Sequence, residues 1–177
     1  QTKVEALIKS SVKTTERDDA LILFLLNQTN VKLGFSKFSQ LLAKDPLSLT
    51  ALELIEKSTS KTFIEEAIEY IKEIVRPEVY DYMKDNSTLV LPPQFFALSK
   101  WHEVLLNKMI QFHLMDYDYI WQLLHFPDHI VRVKVIELLK SLNLLNKKKV
   151  RLFLYPVYKD EMDRELKNEF EKIVWQR

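Results

Sequence analysis

A chain of 177 residues, 47% of them hydrophobic, can bury a sizeable core without help from disulfides or metals. It has no cysteine, which excludes a disulfide framework and cysteine-ligated metal centres, and its net charge of +1 supplies no global field towards nucleic acid or an acidic membrane. A single glycine, Gly34, excludes phosphate-cradling loops, dinucleotide turns and nucleophile elbows, which all need residues that tolerate positive φ or let a ligand approach the backbone.

Lys3 to Val12 carries Val4, Leu7, Ile8 and Val12 at helical spacing, and Thr14 to Asp19 then provides hydroxyls and carboxylates suited to a helix start. The helix that follows, to about Asn27, is apolar nearly all round and should be central. Its longest apolar run, Ala20 to Leu26, is too short to span a bilayer and lacks the flanks of a signal peptide. Asn30 and Gly34 break the chain, and Phe35, Phe38, Leu41 and Leu42 make a short third helix. Asp45-Pro46 reads as a cap and first turn, opening a helix to Lys57. Thr62-Phe-Ile-Glu65 reads as a capping box for an amphipathic helix reaching Val75, and Pro77 starts a short one through Met83.

Asp85 to Pro93 has turn chemistry followed by an extended, proline-bound stretch; it is the longest expected loop and reads as a crossing between two halves. Helices then follow from Phe95 to Leu114 and from the cap Asp116 through Leu124. The next stretch, Phe126 to Lys140, has its own stop and start in Pro127 and Asp128. Its Ile130, Val131, Val133, Val135, Leu138 and Leu139 predict a short buried helix between neighbours. Asn143 and Asn146 bracket a turn, a helix with Val150 to Leu154 stops at Pro156, and a charged amphipathic helix runs from Lys159 to Trp175. About ten to eleven short helices and no strand make the fold class all-α.

The segment Asp128-His-Ile-Val131-Arg132-Val-Lys-Val135-Ile-Glu-Leu-Leu139 resembles the second half of a HEAT or armadillo-type repeat. The resemblance implies that Asp128 caps, and that Arg132 ties neighbouring repeats by pairing with acidic or carbonyl groups. It also implies a right-handed superhelical stack of helix pairs. Asp45 to Ile55 is a looser echo, with Leu49 where the arginine would stand; the two aspartates lie 83 positions apart, close to two repeats of about 40 residues. The whole chain, 1–177, reads as a single repeat-like domain. It begins with Gln1 rather than Met and reads as a fragment of a longer, intracellular protein, cytoplasmic or nuclear.

The four histidines are His102, His113, His125 and His129. His125 and His129 are four apart, but Pro127 between them prevents a shared helical face for a metal, and His102 beside Glu103 on an apolar helix reads as a satisfied, partly buried histidine rather than half of an acid/base pair. No catalytic residue, metal or cofactor is assigned. The sequons Asn27-Gln-Thr29 and Asn86-Ser-Thr88 read as chance matches. Two clusters remain as candidates for binding a protein partner within a larger complex. Tyr117 and Trp121 lie one helical turn apart and can be exposed together, and Tyr and Trp are common interface anchors. Lys147, Lys148, Lys149 and Arg151 form the densest basic cluster, open to three readings: a solvated helix start, a partner-binding patch, or a nucleic-acid contact.

Overall fold

The computed structural model describes residues 31–74, 93–145 and 147–175. All regular structure among them is helical: α1 (Val31–Lys44), α2 (Leu49–Lys57), α3 (Lys61–Ile74), α4 (Pro93–Phe112), α5 (Tyr117–Leu124), α6 (His129–Ser141), α7 (Lys148–Asp160) and α8 (Arg164–Val174). The helices expected over 3–12, 15–27 and 77–83 lie outside the described residues, as does most of the 85–93 connection. No described helix is long and apolar enough to cross a membrane. The chain divides into two compact units, Gln1–Glu69 and Tyr70–Arg177.

In the first unit α1 packs on α2, and Phe38 meets Phe63 of α3 edge-on at 5.0 Å between ring centres. Phe38, Leu42, Leu52, Ile55, Phe63 and Ile64 are buried there. Three starts differ from expectation. Gly34 lies inside α1 and breaks nothing, because one interior glycine costs only about 1 kcal/mol and the apolar face of the helix continues past it. Asp45 closes a tight turn, accepting from the Leu47 N–H at 3.2 Å, while Ser48 caps α2 by accepting from Ala51 N–H at 3.4 Å. The capping box at Thr62 is replaced by Ser60, whose hydroxyl accepts from Phe63 N–H at 3.3 Å. In both cases a serine nearer the buried face outcompetes the acid or threonine that local pattern favoured.

In the second unit α6 packs against α4 and α5, and α7 packs against α8. Pro93 occupies the first position of α4, where its missing N–H leaves no bond unmade. The two helices packed together end alike. His113 (φ 52°) and Asn143 (φ 54°) take the left-handed conformation that glycine usually fills, and the N–H groups of Leu114 and Leu144 reach back to the carbonyls of Met109 (2.9 Å) and Leu139 (3.0 Å). Leu114 and Leu144 are buried, so each stop also tucks an apolar side chain under its helix.

Pro156 does not stop its helix; α7 runs through it to Asp160. The proline removes one hydrogen bond, to the carbonyl of Leu152, but Leu154 and Val157 on either side of it are buried, and that burial holds the turn together. The break falls later, at residues 161–163, where Asp163 caps α8 by accepting from Leu166 N–H at 2.9 Å. The expected helix from Lys159 is therefore the end of α7 plus α8.

That second start repeats the first. Asp128 accepts from Ile130 N–H at 2.9 Å and opens α6; Asp163 opens α8 35 residues later. Counting from each cap, Val131 matches Leu166, Val135 matches Phe170 and Leu138 matches Ile173, and all six side chains are buried. Four residues after each cap stands a cation. Arg132 Nη1 donates to the carbonyls of Phe126 (2.7 Å) and Pro127 (2.8 Å), and Lys167 Nζ donates to the carbonyl of Glu161 at 3.3 Å. Arg132 also reaches forward: its Nε and Nη2 each donate to the Glu161 carboxylate at 2.9 Å. It thus joins the α5–α6 turn to the α7–α8 turn. Ile130 and Val133, expected in the core, are instead 50% and 38% exposed, because α6 buries only the stripe facing α4 and α5.

Candidate interaction surface

Asp116 sets the orientation of α5. One carboxylate oxygen accepts from Tyr119 N–H at 2.8 Å and the other pairs with Lys72 Nζ at 2.8 Å. Partial burial works to raise the carboxyl's pKa, but the Lys72 ammonium and the backbone N–H groups outweigh it, and the group is held below the usual carboxylate range. With the helix so anchored, Tyr119, Ile120, Leu123 and Leu124 turn inward. Tyr117 and Trp121 turn outward, 40% and 36% exposed.

The basic cluster begins α7 on the same side. Lys147 occupies the cap position and makes no side-chain cap bond, and no acidic residue lies in the first turn. Lys147, Lys148 and Lys149 are all exposed. Three ammonium groups thus crowd the positive end of a helix, an arrangement unfavourable by several tenths of a kcal/mol per charge. No ion pair within 4.0 Å joins any of the three to a described acid.

One turn after Lys149 comes Phe153, and this residue brings the two clusters together. Its ring lies 4.7 Å from Trp121 and 6.3 Å, nearly perpendicular, from Tyr117. Lys149 Nζ sits 5.2 Å above the Tyr117 ring, within cation–π range. His125 meets Trp121 edge-on at 4.7 Å. Tyr117, Trp121 and Lys149 therefore form one aromatic and cationic surface across α5 and α7. Lys148 and Arg151 point elsewhere on α7 and line a groove against α8. Phe153 was no candidate in the sequence; its place one turn from Lys149 was the signal that could have found it. Leu152, next to it, is 65% exposed.

The same basic run does not lie extended. Lys148 to Arg151 are helical and Val150 is buried, so the run is held as a helix start. His102 is buried without exposure, and its Nδ1 lies 2.8 Å from the Tyr119 hydroxyl. Burial lowers its pKa from 6.5 to about 3, so the ring is neutral. Its Nε2 has no hydrogen-bond partner among the described residues, and the ring stands edge-on to Phe126 at 4.8 Å. Glu103 pairs with Lys100 at 3.2 Å. No group of three or more potential metal-ligating side chains occurs among the described residues.

Compared with protein-family models, with curated proteins and with solved structures, the chain matches none.

Proposed function

We propose that this chain is a non-catalytic protein-interaction scaffold of HEAT- or armadillo-like helix pairs, stacked as a right-handed superhelix, that binds a protein partner through the α5–α7 surface. The single observation that carries the reading is that exposed Tyr117, Trp121 and Lys149 are drawn together around the half-buried ring of Phe153. Large aromatic side chains held by their neighbours offer contact area at low entropic cost, and the lysines add charge recognition at the rim. The repeat reading is supported by the 35-residue correspondence of α6 with α8 and by Arg132, which links two successive helix turns. Helix pairs of this kind cannot each bury a whole apolar face alone, so they stack.

The test uses the chain as bait. A partner captured by it and then purified should lose binding at least about tenfold to the Tyr117→Ala, Trp121→Ala double variant. Thermal melting should show that both proteins are equally folded. Undiminished binding by the double variant would sink the assignment of this surface.

A second reading, nucleic-acid binding through Lys147 to Arg151, is favoured by the three exposed lysines at a helix start without a side-chain cap, beside the aromatic rings of Tyr117 and Trp121. It demands affinity for single-stranded or duplex oligonucleotides that falls steeply with salt and is abolished by Lys147→Glu with Lys149→Glu.

A further inference from the structure

Three grooves border α8, and they differ in what their walls offer. The first, about 550 Å³ between α6 and α8, is lined by acids and cations together, and its Glu169 already holds Lys140 at 3.2 Å and Lys172 at 2.8 Å. The second, about 680 Å³, is bounded by Asn168, Glu171, Lys172 and Trp175 alone. The third, about 400 Å³, is lined by Lys148, Arg151, Leu152, Tyr155, Val174 and Trp175. Of these three it is the one whose lining among the described residues carries charge of a single sign: two cations and four apolar or aromatic side chains.

That third groove carries apolar surface which the fold leaves in water. Leu152 is 65% exposed and Trp175 is 60% exposed, on facing helices. Its walls are already ordered. Trp175 ends α8, with its N–H bonded to the Glu171 carbonyl at 3.0 Å. Its ring meets Tyr155 perpendicular at 6.1 Å, and Lys159 Nζ lies 4.8 Å over the far partner of that pair, the Tyr155 ring. A volume of about 400 Å³ falls at the small end of ligand-enclosing pockets, which run from about 300 to 1,000 Å³. It suits one bulky side chain rather than a whole helix. Lys148 and Arg151 both stand in the first turn of α7, where the helix's own dipole adds to their positive potential.

We infer that the groove between α7 and α8 docks an acidic segment of a partner protein, taking one bulky apolar side chain between Leu152 and Trp175 and a carboxylate of the segment on Lys148. The exposed ammonium of Lys148 at the helix start selects an acidic segment, and the aliphatic wall of Leu152 and Val174 takes an apolar side chain; because Tyr155 and Trp175 would also stack on a base, an oligonucleotide competitor is one arm of the experiment. The inference shares with the proposed function only the premise of a protein partner. It uses a face of α7 other than the one turned to Tyr117 and Trp121, so the two assignments fail separately.

The experiment pans a library of random short peptides, displayed on phage, against the full chain and measures the selected peptides by fluorescence anisotropy. Enriched peptides should combine Asp or Glu with Leu, Phe or Trp. Leu152→Asp and Lys148→Glu should each weaken them at least about tenfold, while Trp121→Ala leaves them within about twofold. Leu152 and Lys148 are exposed, so both variants keep the fold, which thermal melting verifies. Enrichment of basic or uncharged peptides overturns the inference, as does binding indifferent to Leu152→Asp. Loss on Trp121→Ala alone overturns it too, and assigns the peptides to the α5–α7 surface. Displacement of the peptides by a single-stranded oligonucleotide would give the groove to nucleic acid instead.

Discussion

At the scale of single residues, His102 is the group whose chemistry is most altered by the fold. It is fully buried, its one hydrogen bond goes to the Tyr119 hydroxyl, and burial lowers its pKa from 6.5 to about 3. The folded chain therefore keeps the ring neutral, while the unfolded chain protonates it once the pH drops below about 6.5. Stability from the neutral ring is complete above pH 6.5 and is lost as the pH falls from there towards 3, at about 1.4 kcal/mol per pH unit. Carboxylates whose pKa is lowered, such as Asp116, add their own losses only further down, in the acid range. The expected result is a urea midpoint that declines between pH 6.5 and 5 in the parent chain and stays nearly level there in His102→Gln, which keeps a hydrogen-bonding side chain but takes no proton. Equal slopes in the two proteins would show that another group carries the loss. The sequence pointed to a partly buried histidine here, because it lies on an apolar helix, and the structure buries it completely. The sequence could not show that Tyr119, from another helix, supplies the partner.

At the scale of elements, what decides the arrangement of α5 to α8 is a pair of turns tied by one guanidinium. Arg132 makes two bonds to the carboxylate of Glu161 and two to the carbonyls of Phe126 and Pro127. Glu161 in turn accepts from Asp163 N–H at 2.9 Å, so the same acid steadies the cap of α8. Its side chain is only 4% exposed and that of Arg132 only 13%, so removing one partner strands a charge that water cannot reach freely. Arg132→Ala should cost about 3 kcal/mol in urea melts. Arg132→Lys should recover less than half of it, because an ammonium cannot span four acceptors in one plane. A loss below about 1 kcal/mol for Arg132→Ala would mean that packing alone sets these turns. The arginine and its cap were readable as a motif. Glu161 was not, since nothing local distinguishes one acid among many in a charged stretch, and the proline five residues earlier drew the helix boundary to the wrong place. Ser48 and Ser60 were missed for a related reason: several capping residues stood within reach, and tertiary burial chose among them.

At the scale of the whole molecule, the helical class was legible because one glycine, no cysteine and period-3.6 stripes leave little else for such a chain to do. The correspondence between the starts of α6 and α8 was less so. Asp128 and Asp163 begin helices with the same buried positions, yet Val131, Val135 and Leu138 share no identity with Leu166, Phe170 and Ile173. What recurs is burial geometry, and a search for similar letters passes over it. The meeting of Trp121 with Phe153 was hidden for a deeper reason, since it depends on how α5 and α7 lie together and on no local pattern. Larger still is the division into Gln1–Glu69 and Tyr70–Arg177, which falls inside α3. Each unit has buried apolar residues of its own, and all three tryptophans, Trp101, Trp121 and Trp175, belong to the second. Tryptophan fluorescence therefore follows the second unit, whereas far-UV circular dichroism follows the helices of both. If the units open as separate cooperative blocks, the two probes part company in urea: dichroism passes through a transition to which fluorescence is blind. We expect that separation, because each unit has buried apolar residues of its own and the chain has no cysteine to cross-link them. Coincident curves, with a single slope proportional to the full chain, would instead make the 177 residues one cooperative block.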